Sequence, residues 1–151
     1  MLTAQRYHDH AHKTPDDSVS LTYEDRFLRR KVLTLASGNQ VLVDLQQTTS
    51  LNHGGVLITS DHREIRIDAA PEPLLAVTGA ALHRITWHIG NRHTPCQIED
   101  SRLLIQRDHV MADMLAKIGA SVTEVVEPFT PEGGAYGHGR THGHDHSHAH
   151  T

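Results

Sequence analysis

Residues 74–129 read LLAVTGAALHRITWHIGNRHTPCQIEDSRLLIQRDHVMADMLAKIGASVTEVVEPF, and the changes of hydrophobic period along this stretch decide the fold. LLAVTGA is a short apolar run closed by glycine, the pattern of a buried strand. In ALHRITWHIGN the apolar Leu82, Ile85 and Ile89 recur at three- and four-residue spacing, which places them on one face of a helix. CQIED and RLLIQR read as two short strands about Asp100 and Ser101. DHVMADMLAKIGA opens on Asp108, a residue type suited to an N-cap, turns Val110, Met114, Leu115 and Ile118 inward, and stops at Gly119. SVTEVVEPF is the last strand. The order βαββαβ is that of a split βαβ, ferredoxin-like domain.

Upstream, AAPEP at Ala69–Pro73 interrupts ladder pairing with two prolines and marks the junction between two domains. Residues 19–70 carry short period-two runs (VSLTYE, KVLTLA, QVLVDL, GVLITS, REIRID) separated by SGN, NHGG and SDH, which predicts antiparallel strands joined by turns. Ser37-Gly38-Asn39 folds KVLTLA and QVLVDL into a hairpin, while YEDRFLRRKVL is ambiguous between helix and strand. Residues 1–18 read as a polar leader containing His8, His10 and His12. From residue 131 to 151 apolar residues are almost absent, so this tail is expected to be disordered. The chain is thus read as α+β: a leader (1–18), a small N-terminal all-β domain (19–70), a ferredoxin-like domain (71–130) and a His-rich C-terminal tail (131–151).

Composition narrows the function. Lys and Arg number 14 against 18 Asp and Glu, a net charge of -4, which opposes the phosphate-neutralising surface that nucleic acid requires. There is neither an apolar run of about 7 to 15 residues of the signal-peptide kind nor one of about 18 residues that could span a membrane, so a cytoplasmic protein is expected. A single cysteine, Cys96, precludes an internal disulfide and any multi-thiolate centre, and a lone cysteine in a strand is usually a small buried hydrophobe. Against this plain background stand 15 histidines.

Neutral imidazole is the commonest protein ligand for borderline transition metals, which makes metal the first functional class to weigh. In the tail His138, His142, His144, His146, His148 and His150 stand among small or polar residues, and the last five alternate so that an extended segment points them one way. Ligands on one chain raise each other's effective concentration, so the tail collects ions, with Cu²⁺ preferred over Ni²⁺ and Zn²⁺ unless availability decides. HDHAH at residues 8–12 repeats the idea, with weak metal binding and a solvated leader equally acceptable readings. Inside the folded part WHIGNRH supplies His88 and His93 and RDHV supplies His109. No HExxH pattern accompanies them, which argues against a metalloenzyme.

Taken together, AAPEPLLAV, WHIGNRHTPCQIE, RDHVMADMLAKIGA, PFTPEGGAYGHG and the His-rich terminus resemble the urease accessory protein E family. The resemblance runs from about Val19 to the end and is strongest between Trp87 and Tyr136, where GNRH is followed sixteen residues later by the histidine of DHV and then by GGAYG. It implies a nickel metallochaperone that delivers Ni²⁺ to apo-urease, in company with the accessory GTPase, and no enzymatic activity of its own. It also implies an N-terminal β domain for partner or peptide contact and a homodimer joined through the second domains. Carried onto this chain, His93 is the metal ligand at the dimer interface, with His109 and His88 as further metal-binding positions. Arg107 replaces the first histidine of the HDH that some members carry. Fifteen extended tail residues span up to roughly 50 Å, enough to reach an interface site.

Two other classes compete. A divalent-metal buffer for Ni²⁺, Zn²⁺ or Cu²⁺ would need the histidines but no receiver. A peptide-binding or co-chaperone module would use the β domain and the basic RFLRRK stretch, whose simpler reading is a strand edge guarded by charge.

Overall fold

The computed structural model describes residues 1–133 and divides into two compact units, Met1–Ala70 and the chain from Pro71 onward. The class is α+β, with an all-β N-terminal unit and a mixed C-terminal unit.

The first unit holds β1 (Leu2–His8), β2 (Asp17–Leu21), β3 (Phe27–Thr34), β4 (Gln40–Ser50), β5 (Val56–Thr59) and β6 (Glu64–Ala69) in one six-stranded sheet ordered β2-β6-β5-β1-β4-β3. Alternating Val41, Val43 and Leu45 on β4 pack with Leu33 and Leu35, with Leu57, and with Ile65 and Ile67 in a single apolar cluster. Ser37-Gly38-Asn39 does close a β3–β4 hairpin, with the Leu35 N–H donating to Asn39 O at 2.8 Å. Of the ambiguous YEDRFLRRKVL, residues 23–26 form a turn and residues 27–33 are strand, and a register irregularity between Leu28 and Arg30 is what blurs its period. β3 lies at the sheet edge, and its Arg29 and Arg30 both pair with Asp44 of β4.

Two sequence expectations fail here. Leu2–His8, read as polar leader, is an interior strand, parallel to β4 and antiparallel to β5. A bulge between Ala4 and Arg6 breaks its alternation, so a strand whose Ala4 is fully buried shows no clean period-two signal. The sheet is also mixed rather than wholly antiparallel, since β1 pairs with β4 and β2 with β6 in parallel.

The second unit runs β7 (Pro71–Thr78), α1 (Leu82–Asn91), β8 (Gln97–Ile98), β9 (Leu103–Gln106), α2 (His109–Lys117) and β10 (Ser121–Pro128). Its four strands are ordered β10-β7-β9-β8, with every neighbouring pair antiparallel. Ile85 and Ile89 of α1 and Met111 and Leu115 of α2 are buried in a cluster with Leu75, Val77, Leu103 and Ile105 of the sheet. Each such side chain contributes roughly 1.5–3 kcal/mol relative to exposure. The inward face of α2 differs from that expected: Met111 and Leu115 are buried with Met114 packed beside them, whereas Val110 is 60% and Ile118 38% exposed. The apolar residues of this helix cover more than one face, so spacing alone admits two rotations. Gly119, at φ 94°, stands just past the C-cap Ile118 in the left-handed conformation that suits glycine.

Pro71 and Pro73, read as a break, lie within β7 and pair in register with Pro128 and Val126 of β10. β9 reaches only as far as Leu74, so both prolines sit where β7 has a neighbour on one side, a place where a missing N–H is tolerated.

Candidate metal site

α1 ends in a way that lifts one histidine out of the helix. The N–H of Arg92 donates to Ile89 O at 3.1 Å, that of His93 to Gly90 O at 2.9 Å, and that of Thr94 to Ile89 O at 3.4 Å. These bonds take up the carbonyls of Ile89 and Gly90 in the last turn of the helix and leave His93 at φ 58°, the left-handed position that glycine usually fills. Histidine is among the non-glycine residues enriched there, yet the conformation still carries strain, and strained residues concentrate at functional sites. The imidazole is exposed.

One turn earlier, His88 is half-buried and meets the indole of Trp87 edge-on, with ring centres 5.1 Å apart and planes at 86°. Trp87 is itself 63% exposed, an unusual state for so large an apolar side chain, and with Arg84 and His88 it lines a shallow hollow. Sequence spacing gave no notice of Trp87, because it lies off the Leu82–Ile85–Ile89 face.

His109 is the first residue of α2 and is exposed. Its neighbours are occupied. Asp108 Oδ1 accepts from the N–H of Val110 at 2.9 Å and of Met111 at 3.3 Å, so it serves as the expected N-cap. Arg107 donates to Leu74 O at 3.1 Å and to Val125 O at 3.0 Å, fastening the start of α2 to β7 and β10. Cys96 packs half-buried against the second core, and burial, with the Glu132 carboxylate adding, pushes its thiol up to about 11. At that value the thiolate needed for metal binding or redox chemistry is scarce near neutrality.

Among the described residues no group of three or more His, Cys, Asp or Glu is set around one point to hold a metal ion. The folded histidines His88, His93 and His109 therefore do not belong to a ligand set of three or more within one chain. His138, His142, His144, His146, His148 and His150, and the expected disorder of the tail, lie outside the described residues. No helix among the described residues is long and apolar enough to cross a membrane.

Residues 2–70 match the family model described as UreE urease accessory protein, N-terminal domain, and residues 72–151 match that of the C-terminal domain. The chain belongs to the UreE family of urease accessory proteins. A urease accessory protein UreE of Ruegeria sp. (strain TM1040) is 66% identical over 142 residues, covering 93% of this chain and 81% of the relative. That of Ruegeria pomeroyi is 66% identical over 127 residues, covering 84% and 85%. That of Cereibacter sphaeroides is 55% identical over 123 residues, covering 82% and 67%. The UreE family name denotes an accessory role toward urease rather than catalysis, and the matches span both compact units.

Proposed function

We propose that this chain is a cytoplasmic metallochaperone that binds Ni²⁺ and delivers it to apo-urease while the urease metallocentre is assembled, in concert with the accessory GTPase. The ion is cargo. The observation that carries the reading is His93: an exposed imidazole held on a strained left-handed residue at a helix end, in a member of the UreE family of urease accessory proteins. A chaperone must hold its ion loosely enough to surrender it. A site of few, exchangeable imidazoles leaves coordination positions open to a receiver.

In this reading two copies of the chain pair through their second units, on a ferredoxin-like scaffold, and His93 of each copy contributes to one ion. Exposed Trp87 on the same helix supports coverage of that surface by a partner. His88 and His109 are additional donors, and the tail histidines from His138 to His150 raise the local supply of metal. Zn²⁺ and Cu²⁺ compete for the same imidazoles.

The test is a Ni²⁺ and Zn²⁺ titration of intact and His93→Ala protein, run beside an assay of urease activation. His93→Ala is expected to lose the shared site and to lower activation, while truncation before Gly137 chiefly lowers capacity. Unchanged binding and activation in His93→Ala overturns the proposal. High stoichiometry with no urease component retained in a pull-down would identify a metal buffer instead.

A further inference from the structure

The HDHAH segment is not a loose leader. His8 closes β1 in register with Val56 of β5. Beyond it the chain is tied to the β5–β6 hairpin. The N–H of His12 donates to Glu64 Oε1 at 3.2 Å, Lys13 Nζ donates to His62 O at 3.2 Å, and Asp16 and Glu64 exchange two hydrogen bonds of 2.8 and 2.9 Å. Glu64 is only 5% exposed, so the anchor is part of the folded unit. The intervening Asp9 is drawn aside, its Oδ1 accepting from Asn52 Nδ2 at 3.3 Å.

This tethering gathers three imidazoles. The ring of His12 lies 5.0 Å from that of His8 and 5.3 Å from that of His10, centre to centre. With metal–nitrogen bonds of about 2.0–2.1 Å, two imidazoles sharing one ion at tetrahedral or octahedral angles have centres roughly 4.5–5.2 Å apart. The His8–His12 separation falls within that range and the His10–His12 separation just beyond it, and the three rings as they stand do not form a group that could hold an ion, so the site requires them to turn. Turning an exposed imidazole about its side-chain bonds is a small, fast change, and His10 and His12 are exposed while His8 is half-buried.

We infer that His8, His10 and His12 form a second divalent-metal site, on the N-terminal unit, with His12 as the shared ligand and a borderline cation of the Ni²⁺, Zn²⁺ or Cu²⁺ class as its occupant. Because the loop is anchored through Glu64 and β1, less ordering entropy opposes binding than in a free peptide of the same composition. The site is independent of His93, and its failure leaves the delivery reading intact.

The test is Ni²⁺ titration of the isotopically labelled full-length chain to saturation, following backbone amide signals. Saturable paramagnetic broadening of the amides of residues 8–13 is expected in the intact protein and in His93→Ala alike. It is expected to vanish in His8→Ala/His12→Ala, and His12→Ala alone should cost more than His10→Ala. The amides of Val56 and Glu64 report whether the fold survives; if they move in the alanine variants, His12→Asn decides in their place. The inference is overturned if the amides of residues 8–13 keep their intensity at saturation, or if their broadening persists in a folded variant lacking His8 and His12.

Discussion

The backbone N–H of Asn52 donates to the phenol oxygen of Tyr7 at 2.7 Å, joining the end of β1 to the turn that precedes β5. Gly55 makes room for the phenol, since a Cβ at that position would overlap Tyr7 Oη and Cε1. Beyond its pairing with β4 and β5, the end of a strand that the sequence conceals is thus fastened by one hydrogen bond and one missing methyl group.

Burial, opposed by the Asn52 hydrogen bond and assisted by the Asp9 charge, pushes the Tyr7 phenol up to about 12. The folded state therefore keeps its proton where the unfolded chain loses it. The resulting stability is complete below about pH 10 and is lost as pH rises through 12. Ultraviolet titration should show a late phenolate that disappears in Tyr7→Phe, and urea midpoints should fall less between pH 9 and 11 in Tyr7→Phe than in the natural chain. Gly55→Ala should cost about 1–3 kcal/mol by overpacking the same contact.

Removing the α2 cap separates structure from metal binding at Asp108. Asp108→Ala leaves the Val110 and Met111 N–H groups without their acceptor and should cost about 1 kcal/mol in urea denaturation. Ni²⁺ affinity measured by calorimetry should stay within error of the intact protein; a large loss would make Asp108 a ligand.

At His93 the backbone offers an internal control. Glycine relieves a left-handed residue that alanine strains, so His93→Gly should be about 1 kcal/mol more stable than His93→Ala. Both should lose the same Ni²⁺ site. Retention of that site in the glycine variant alone would assign the effect to the helix end rather than to the imidazole.

Cys96 should behave as packing. Raising its thiol from 9.0 to about 11 cuts the thiolate fraction at pH 8 about 100-fold, so iodoacetamide should label folded protein at least about tenfold more slowly than urea-unfolded protein. Cys96→Ala should leave Ni²⁺ stoichiometry unchanged.

What the sequence determined by itself is local. The Leu82–Ile85–Ile89 spacing, the Asp108 cap, the Gly119 stop and the Ser37-Gly38-Asn39 turn are each written within about one helical turn or hairpin, where propensity and period act directly. The histidine-rich segments and GNRH were likewise legible as residue types, and they carried the resemblance to the family that the chain proves to join.

Tertiary structure decided what depends on distant chain. Leu2–His8 became a strand because β4 and β5, some forty and fifty residues on, supply its hydrogen bonds, while the bulge after Ala4 erased its period. Val110 turned outward because the sheet accepts Met111 and Leu115. Pro71 and Pro73 stayed in β7 because β9 ends before reaching them. The same holds for the histidines: their identity is sequence, but the left-handed backbone of His93 follows from how α1 ends, and the gathering of His8, His10 and His12 follows from the grip of Glu64 on the His12 backbone. A one-dimensional pattern records which donors exist; long-range pairing and closure of the fold set where they stand.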